Sequence, residues 1–198
     1  IGTEHGCEIG FYPSLFGVDI RISSNKIKYM ESLQDQLTKI LGNAVFALGN
    51  DSIEEIVVNK ALENDISLSI AESCTGGLIG HRITQISGSS KIFKGSVVVY
   101  SNSSKVNLLG VGENCIAKHG AVSEETAKEM AEKVRKMFSS KLGLSITGIA
   151  GPDGGSKEKP IGLTYIGVST KNETKVRKFQ FGLIRKSNKV RASQAALN

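Results

Sequence analysis

Within the first fifty residues, a segment of alternating apolar and polar positions is followed by a segment with apolar residues at helical spacing. Residues 17–22 alternate apolar and polar side chains, as a half-buried strand does. Apolar residues then recur at helical spacing: Ile27, Met30, Leu33, Leu37 and Ile40. Ser52 and Glu55 have the spacing of a capping box, which indicates a new helix start. We therefore predict a small α+β unit over residues 1–49 and a domain boundary near residue 50.

From residue 50 onward, strand-like and helix-like segments alternate. The pattern predicts strands over residues 66–71, 95–100, 142–147, 162–169 and 174–181. It predicts helices over residues 76–86, 103–109 and 123–138, and a last helix from about Arg185. Strands separated by helices are typical of βαβ units, and the last two strands can pair as a hairpin. The predicted fold class is α/β, a three-layer α/β/α arrangement with a mostly parallel sheet.

Polar side chains follow three of these predicted strands. Ser73 comes directly after the first strand in the stretch AESCTGGLIG, while Tyr100 and Thr147 end two others. Ligands of open α/β sheets bind beyond the carboxyl ends of the strands, so these side chains are expected at one rim. Ser73 is a candidate nucleophile. Serine is also favoured as a helix cap or turn residue, and the residues alone leave that alternative open.

A serine hydroxyl needs a neighbouring base before it can act as a nucleophile. The three histidines fall in the N-terminal unit, inside a predicted helix and in a predicted loop before a helix: His5, His81 and His119. None of them is an obvious partner. The stretch YSNSSK offers Lys105 instead, in the first turn of a short helix that Asn102 could cap. The helix dipole and partial burial favour the neutral amine there, and Tyr100 could relay the proton or orient the amine.

Glycines supply backbone N–H groups close to the candidate nucleophile. Gly76 and Gly77 open the helix after Ser73, where unpaired N–H groups could stabilise an oxyanion or hold a phosphate. The glycine-rich loop 148–155, which includes Gly151, permits close approach of its backbone to a ligand. Neither segment has the Walker or the Rossmann spacing.

Composition narrows the classes of partner. The net charge of +6 over 198 residues favours anionic partners, such as small phosphorylated ligands or nucleic acid. The basic residues are dispersed without an aromatic ladder, so nucleic-acid binding is not favoured.

Three cysteines without metal-like pairing are expected as free thiols, with Cys74 packed in the interior. No apolar run suggests a membrane span or a signal peptide, so a cytoplasmic protein is expected. The chain begins at Ile1 rather than Met, which suggests a fragment.

Four sequence blocks occur in an order and at a spacing that are typical of one protein family: AESCTGGLIG, GSVVVYSNSSKVNLLGV, HGAVSEETAKEMA and SITGIAGPDGGSKEKPIG. Over residues 50–198 the chain resembles the C-terminal domain of the CinA (competence/damage-inducible protein) family. The resemblance implies an amidohydrolase that converts nicotinamide mononucleotide to nicotinate mononucleotide and ammonia, with no metal or cofactor. It also implies a homo-oligomer. Residues 1–49, with FYPSLFGVDIRIS, look like the remnant of a KH-like linker domain.

The resemblance also implies roles for individual residues. The catalytic positions fall on Ser73 as nucleophile, with Tyr100 and Lys105 as its partners. The substrate-binding positions are Thr75, Gly76, Gly77, Thr147, Gly151 and Arg185. Arg185 follows Phe181 at a longer spacing than in the F-G-D-R motif of the family. A non-catalytic domain that binds a nucleotide or a protein in competence or DNA-damage responses stays open as the alternative.

Overall fold

The computed structural model describes residues 7–198 and divides the chain into two compact units. The first unit ends at Asp51 and contains an antiparallel pair, β1 (Cys7–Pro13) and β2 (Val18–Ser24), followed by α1 (Ile27–Leu41). β2 and α1 match the sequence prediction, whereas β1 was not predicted. His5 lies outside the described residues. The assignment of residues 1–49 to a KH-like linker domain stays a prediction.

The second unit, Ser52–Asn198, alternates strands and helices. Its strands are β3 (Leu68–Glu72), β4 (Phe93–Val98), β5 (Leu142–Gly148), β6 (Leu163–Ser169) and β7 (Thr174–Gln180). Its helices are α2 (Ile53–Glu63), α3 (Leu78–Thr84), α4 (Asn102–Asn107), α5 (Glu113–His119), α6 (Glu124–Met137) and α7 (Arg185–Leu197). No helix among residues 7–198 combines the length and the apolar character that a membrane crossing requires.

The five strands of the second unit form one sheet in the order β4-β3-β5-β6-β7. β3 pairs in parallel with both β4 and β5, while β6 is antiparallel to β5 and to β7. Four of the five strands therefore run in the same direction, which confirms a mostly parallel sheet closed by the β6–β7 hairpin. Glu72 at the end of β3 is in register with Val98 of β4 and Ile146 of β5. The carboxyl ends of these three strands consequently meet at one rim.

Helices cover both faces of this sheet, which confirms the three-layer α/β/α prediction. Successive side chains of a strand point to opposite faces. Ile70 of β3 packs in the cluster that includes Val58 of α2, Ile79 of α3 and Ala192 of α7. Ala71 packs on the other face with residues of α6. Each large apolar side chain buried in this way stabilises the fold by roughly 1.5–3 kcal/mol.

Helix α2 begins where the capping box predicts. The Ser52 hydroxyl accepts a hydrogen bond from the Glu55 N–H (3.3 Å), and the Ser52 N–H donates to the Glu55 carboxylate (2.7 Å). Glu54, one residue further along, pairs with Arg82 of α3, which is itself buried. Arg82 also donates to Ser193 and Gln194 of α7. This side chain joins three helices on one face of the sheet and fixes α7, whose first residue is Arg185.

Two local predictions near the rim were wrong: the cap of α4 and the loop around His119. Ser101, not Asn102, caps α4, because the Ser101 hydroxyl accepts from the Ser104 N–H at 3.0 Å. His119 was expected in a loop, but it is the last residue of the short helix α5. Gly120 then ends α5 with a φ of 80°.

Candidate active site

Ser73 and Lys105 lie against each other at the rim of the sheet. Ser73 follows β3 directly, and Lys105 lies on α4, which follows the neighbouring strand β4. The Lys105 Nζ is 3.0 Å from the Ser73 Oγ. Lys105 is only 1% exposed and Ser73 is 7% exposed. The alignment of adjacent parallel strands thus brings together the two residues that sequence reasoning placed there separately.

The surroundings of the Lys105 amine favour its neutral form. Burial lowers the pKa of Lys105 from the ordinary lysine value, and no carboxylate pairs with it within the described residues. Its Nζ also lies 2.9 Å from the carbonyl oxygen of Val99 and 3.3 Å from that of Tyr100. A neutral amine has two N–H donors and one lone pair. The two carbonyls match the donors, which leaves the lone pair to accept from the Ser73 hydroxyl.

The carboxylate of Glu72 shapes the turn that carries Ser73. Glu72 is completely buried and accepts from the Thr75 hydroxyl (2.7 Å) and from the backbone N–H groups of Gly77 (3.0 Å), Ile79 (3.2 Å) and Gly80 (2.8 Å). These N–H groups belong to the start of α3, where a negative charge is stabilised. Glu72 therefore fixes the turn that carries Ser73.

The backbone N–H groups of Gly76 and Gly77, which were expected to hold an oxyanion or a phosphate, already have acceptors within the protein. The Gly76 N–H donates to the Ser73 carbonyl (3.1 Å), and the Gly77 N–H is bound by Glu72. This part of the sequence prediction was wrong, because a buried carboxylate already occupies the start of α3. In the described part of the chain, the N–H groups of Cys74 and Thr75 donate to no oxygen.

Cys74, the neighbour of Ser73, is a packed thiol, as its sequence context predicted. It is buried and belongs to the core cluster on the α3 side of the sheet. Burial raises the pKa of the Cys74 thiol to about 12. The thiolate, which is the nucleophilic form of cysteine, is therefore scarce near neutral pH.

Strand β5 contributes the third side of the rim. The Ser73 N–H donates to the Ile146 carbonyl at 3.0 Å, which connects the Ser73 turn to β5. Thr147, the next residue, is buried, and its hydroxyl donates to the Ala121 carbonyl at 2.7 Å. The side chain predicted to contact substrate thus holds the loop that follows α5. Its hydroxyl oxygen keeps a lone pair for a donor in the cavity.

Tyr100, Gly151 and Arg185 meet at the mouth of the site. Arg185 donates from Nη2 to the Tyr100 hydroxyl (2.8 Å) and from Nη1 to the Gly151 carbonyl (2.8 Å). Tyr100 is 57% exposed, and it contacts the Lys105 amine through its backbone carbonyl. The expected proton relay through the phenol therefore has no contact to support it. Arg185 reaches the mouth in spite of its longer spacing from Phe181.

These residues surround a cavity of about 170 Å³. Five residues that the sequence predicted line it: Ser73, Tyr100, Lys105, Thr147 and Arg185. Gly148 and Ala150 of the predicted glycine-rich loop also line it. Four further lining residues were not predicted as part of the site: Cys74, Asn102, Ala121 and Val122. Ala121 and Val122 lie inside the block HGAVSEETAKEMA, which was the available signal for them. The residues that line the cavity do not include Thr75, Gly76 or Gly77.

Fold and site together define a three-layer α/β protein with a buried serine–lysine pair at the carboxyl ends of parallel strands. A comparison with protein families then assigns it. The CinA C-terminal domain matches residues 50–198, about three quarters of the chain, and the chain belongs to this family.

Individual relatives agree with this assignment. The chain is 45% identical over 166 residues to a CinA-like protein of Kosmotoga olearia, covering 84% of this chain and 40% of the relative. It is 46% identical over 203 residues to a CinA-like protein of Endomicrobium trichonymphae, covering 100% of this chain and 47% of the relative. The chain thus spans less than half the length of these relatives.

The fold is also found among solved structures. The crystal structure of the competence/damage inducible protein CihA from Agrobacterium tumefaciens matches with a TM-score of 0.70 and 34% sequence identity. The match covers 76% of this chain and 94% of that chain. The α/β/α unit described above is therefore similar to the fold of an experimentally determined protein.

Proposed function

We propose that this protein is a serine amidohydrolase that hydrolyses the carboxamide of nicotinamide mononucleotide to nicotinate mononucleotide and ammonia. The observation that carries the proposal is the buried Lys105 amine, which has no carboxylate partner among residues 7–198 and lies 3.0 Å from the Ser73 hydroxyl. A binding module needs no activated serine. The choice of substrate rests on the resemblance of residues 50–198 to family members with this activity.

The first step of the proposed reaction forms an acyl-enzyme. Neutral Lys105 takes the proton of Ser73 while the serine oxygen attacks the carboxamide carbon. The backbone N–H groups of Cys74 and Thr75 stabilise the oxyanion, because they are the amides of this turn without an oxygen acceptor. Lys105 then returns the proton to the leaving nitrogen, so that ammonia departs and an ester on Ser73 remains.

The second step hydrolyses that ester. Water enters the position that ammonia has left, and Lys105 accepts a proton from the water as its oxygen attacks the ester carbon. Collapse of the tetrahedral intermediate breaks the bond to Ser73, which regains its proton from Lys105. Nicotinate mononucleotide is released. Each step uses one proton that moves between Lys105 and the reacting oxygen or nitrogen.

The residues at the mouth bind the rest of the nucleotide in this proposal. The Arg185 guanidinium is held by Tyr100 and Gly151, and it offers positive charge beside the cavity. Thr147 shapes the wall next to Ser73 through its hydrogen bond to Ala121. Neither residue transfers a proton.

Direct assay of turnover tests this proposal. Protein is incubated with nicotinamide mononucleotide, and ammonia and nicotinate mononucleotide are measured together. Release of both products in equal amounts is expected. A folded sample that releases neither would contradict the proposal and would favour the non-catalytic nucleotide-binding alternative.

A further inference from the structure

We propose that Lys189, together with Arg185, binds the 5′-phosphate of the substrate outside the cavity. The inference rests on the proposed function, and it assigns to Lys189 a role that neither the sequence motifs nor the proposed reaction gave it. The two side chains lie on α7, whose first residue is Arg185.

The two cations share one face of α7. Residues four apart on a helix are neighbours on its surface. Arg185 lines the cavity, and the Lys189 Nζ lies 3.6 Å from the position that a Cβ on Gly76 would take. Gly76 belongs to the turn that begins at Ser73. The face that carries both cations is therefore directed at the nucleophile turn.

The positive charge of this face has no anionic partner among residues 7–198. Lys189 is half-buried, and its side-chain amine makes no hydrogen bond or ion pair with a described residue. Arg185 donates only to a carbonyl and a phenol, and both acceptors are uncharged. Two like charges at this spacing repel each other on a helix. An anion bound between them removes the repulsion and forms charge-assisted hydrogen bonds.

The start of α7 adds to the attraction for an anion. Its N-cap, Ile184, has no side chain that can accept a hydrogen bond, and its first turn contains no acidic residue. The backbone N–H groups of a helix start carry partial positive charge and favour phosphate. Here this charge lies on the same helix end as the Arg185 guanidinium.

The size of the cavity places the phosphate outside it. A volume of about 170 Å³ is small compared with the roughly 300–1,000 Å³ of sites that enclose a whole ligand. With the carboxamide at Ser73, the ribose and the phosphate must extend past the mouth. Gly76 is exposed and has a φ of +63°, so the surface beside Lys189 has no side chain to obstruct the ligand. The phosphate then reaches Lys189 across Gly76.

Kinetics with two substrates test this assignment, because nicotinamide riboside is the same compound without the phosphate. We expect Lys189→Gln to lower kcat/KM for nicotinamide mononucleotide at least about tenfold, mainly through KM. The effect on nicotinamide riboside should be much smaller. Lys186→Gln is the matched control, because it removes the same charge from an exposed position on the same helix. Equal effects of Lys189→Gln on both substrates would overturn the assignment.

A binding measurement separates this inference from the proposed function. Ser73→Ala protein is titrated with nicotinamide mononucleotide by calorimetry, with and without Lys189→Gln. If Ser73→Ala binds nicotinamide mononucleotide at least about tenfold more tightly than the variant that also carries Lys189→Gln, the phosphate site is supported. This holds even if the wild type shows no turnover. Unchanged affinity, or no binding to either variant, overturns it. Loss of turnover alone overturns only the proposed function.

Discussion

The Lys105 amine lies inside the protein among a serine hydroxyl and two backbone carbonyls. Lysine is seldom buried unless an acidic group pairs with it. Lys105 has no such partner among the residues that the structure describes, and burial shifts its equilibrium towards the neutral form. Only that form can take the serine proton. At the residue scale, the proposed chemistry therefore depends on the protonation state of one side chain.

Activity should rise with pH through the titration of Lys105. Burial places its pKa below the ordinary lysine value of 10.5, so the rising limb of kcat/KM should lie below that pH. Lys105→Met removes the base, and we expect kcat/KM to fall roughly 10²–10⁴-fold. The measurement is the rate of ammonia release as a function of pH. A limb that persists in Lys105→Met would show that another group is responsible for it.

Stability should depend on the same titration. The folded pKa of Lys105 lies below its unfolded value, so between the two values the unfolded chain binds more protons. Below the folded pKa, burial of the charged amine destabilises the native state, and this penalty disappears as the pH rises towards 10.5. Relative to Lys105→Met, the wild type should therefore become more stable as the pH rises.

Urea unfolding of both proteins over a series of pH values measures this difference. Lys186→Met, at an exposed position, provides the control, and its difference from the wild type should not change with pH in the same way. A difference between wild type and Lys105→Met that is independent of pH would contradict the assignment of a lowered pKa.

At the scale of elements, the turn between β3 and α3 is held by one carboxylate. Glu72 accepts from the Thr75 hydroxyl and from three backbone N–H groups. It thereby ends the strand, starts the helix and fixes the backbone on both sides of Ser73. The position of the Ser73 hydroxyl is consequently coupled to the stability of this turn.

Glu72→Gln should weaken both the fold and the site. An amide NH₂ in place of a carboxylate oxygen leaves a buried backbone donor without an acceptor, at an expected loss of roughly 1–3 kcal/mol. Urea unfolding measures the loss, and kcat should fall with it because the Ser73 turn is displaced. Glu63→Gln, at an exposed position on α2, is the control and should change stability by less than about 0.5 kcal/mol. Equal stability of the two variants would contradict the role of Glu72.

The elements differ in how far the sequence could predict them. The hydrophobic patterns and the capping box predicted the strands of the second unit, α2, α6 and the start of α7 to within a few residues. The exceptions depend on single side chains. α3 begins at Leu78 because Gly77 adopts a left-handed φ of 92° under the Glu72 carboxylate, and α4 begins after Ser101. The short helix α5 has no fully buried residue, so it left no apolar stripe to detect.

At the scale of the whole molecule, sheet topology assembles the site. β3, β4 and β5 are adjacent and parallel, so Ser73, Lys105 and Thr147 converge although they are far apart in sequence. The sequence could predict this convergence from the alternation of strands and helices. It could not predict that Glu72 occupies the helix start or that the Tyr100 phenol binds Arg185, because both depend on side-chain contacts between distant segments.

The second unit should fold alone. Its two core clusters consist entirely of residues from Ser52 onward. We therefore expect a protein limited to residues 50–198 to unfold in one cooperative transition and to keep most of the turnover of the full chain. Thermal unfolding and the ammonia assay measure these properties. A non-cooperative transition in the shortened protein would contradict the assignment of independent cores.

The most direct test of the account compares ammonia release from nicotinamide mononucleotide by the wild type and by Ser73→Ala. If Ser73 is the nucleophile, the variant should lose at least about a thousandfold in kcat while it keeps its fold. Cys74→Ala is the matched control, because it changes the neighbouring side chain and should retain most of the activity. Undiminished release by Ser73→Ala would contradict the central claim.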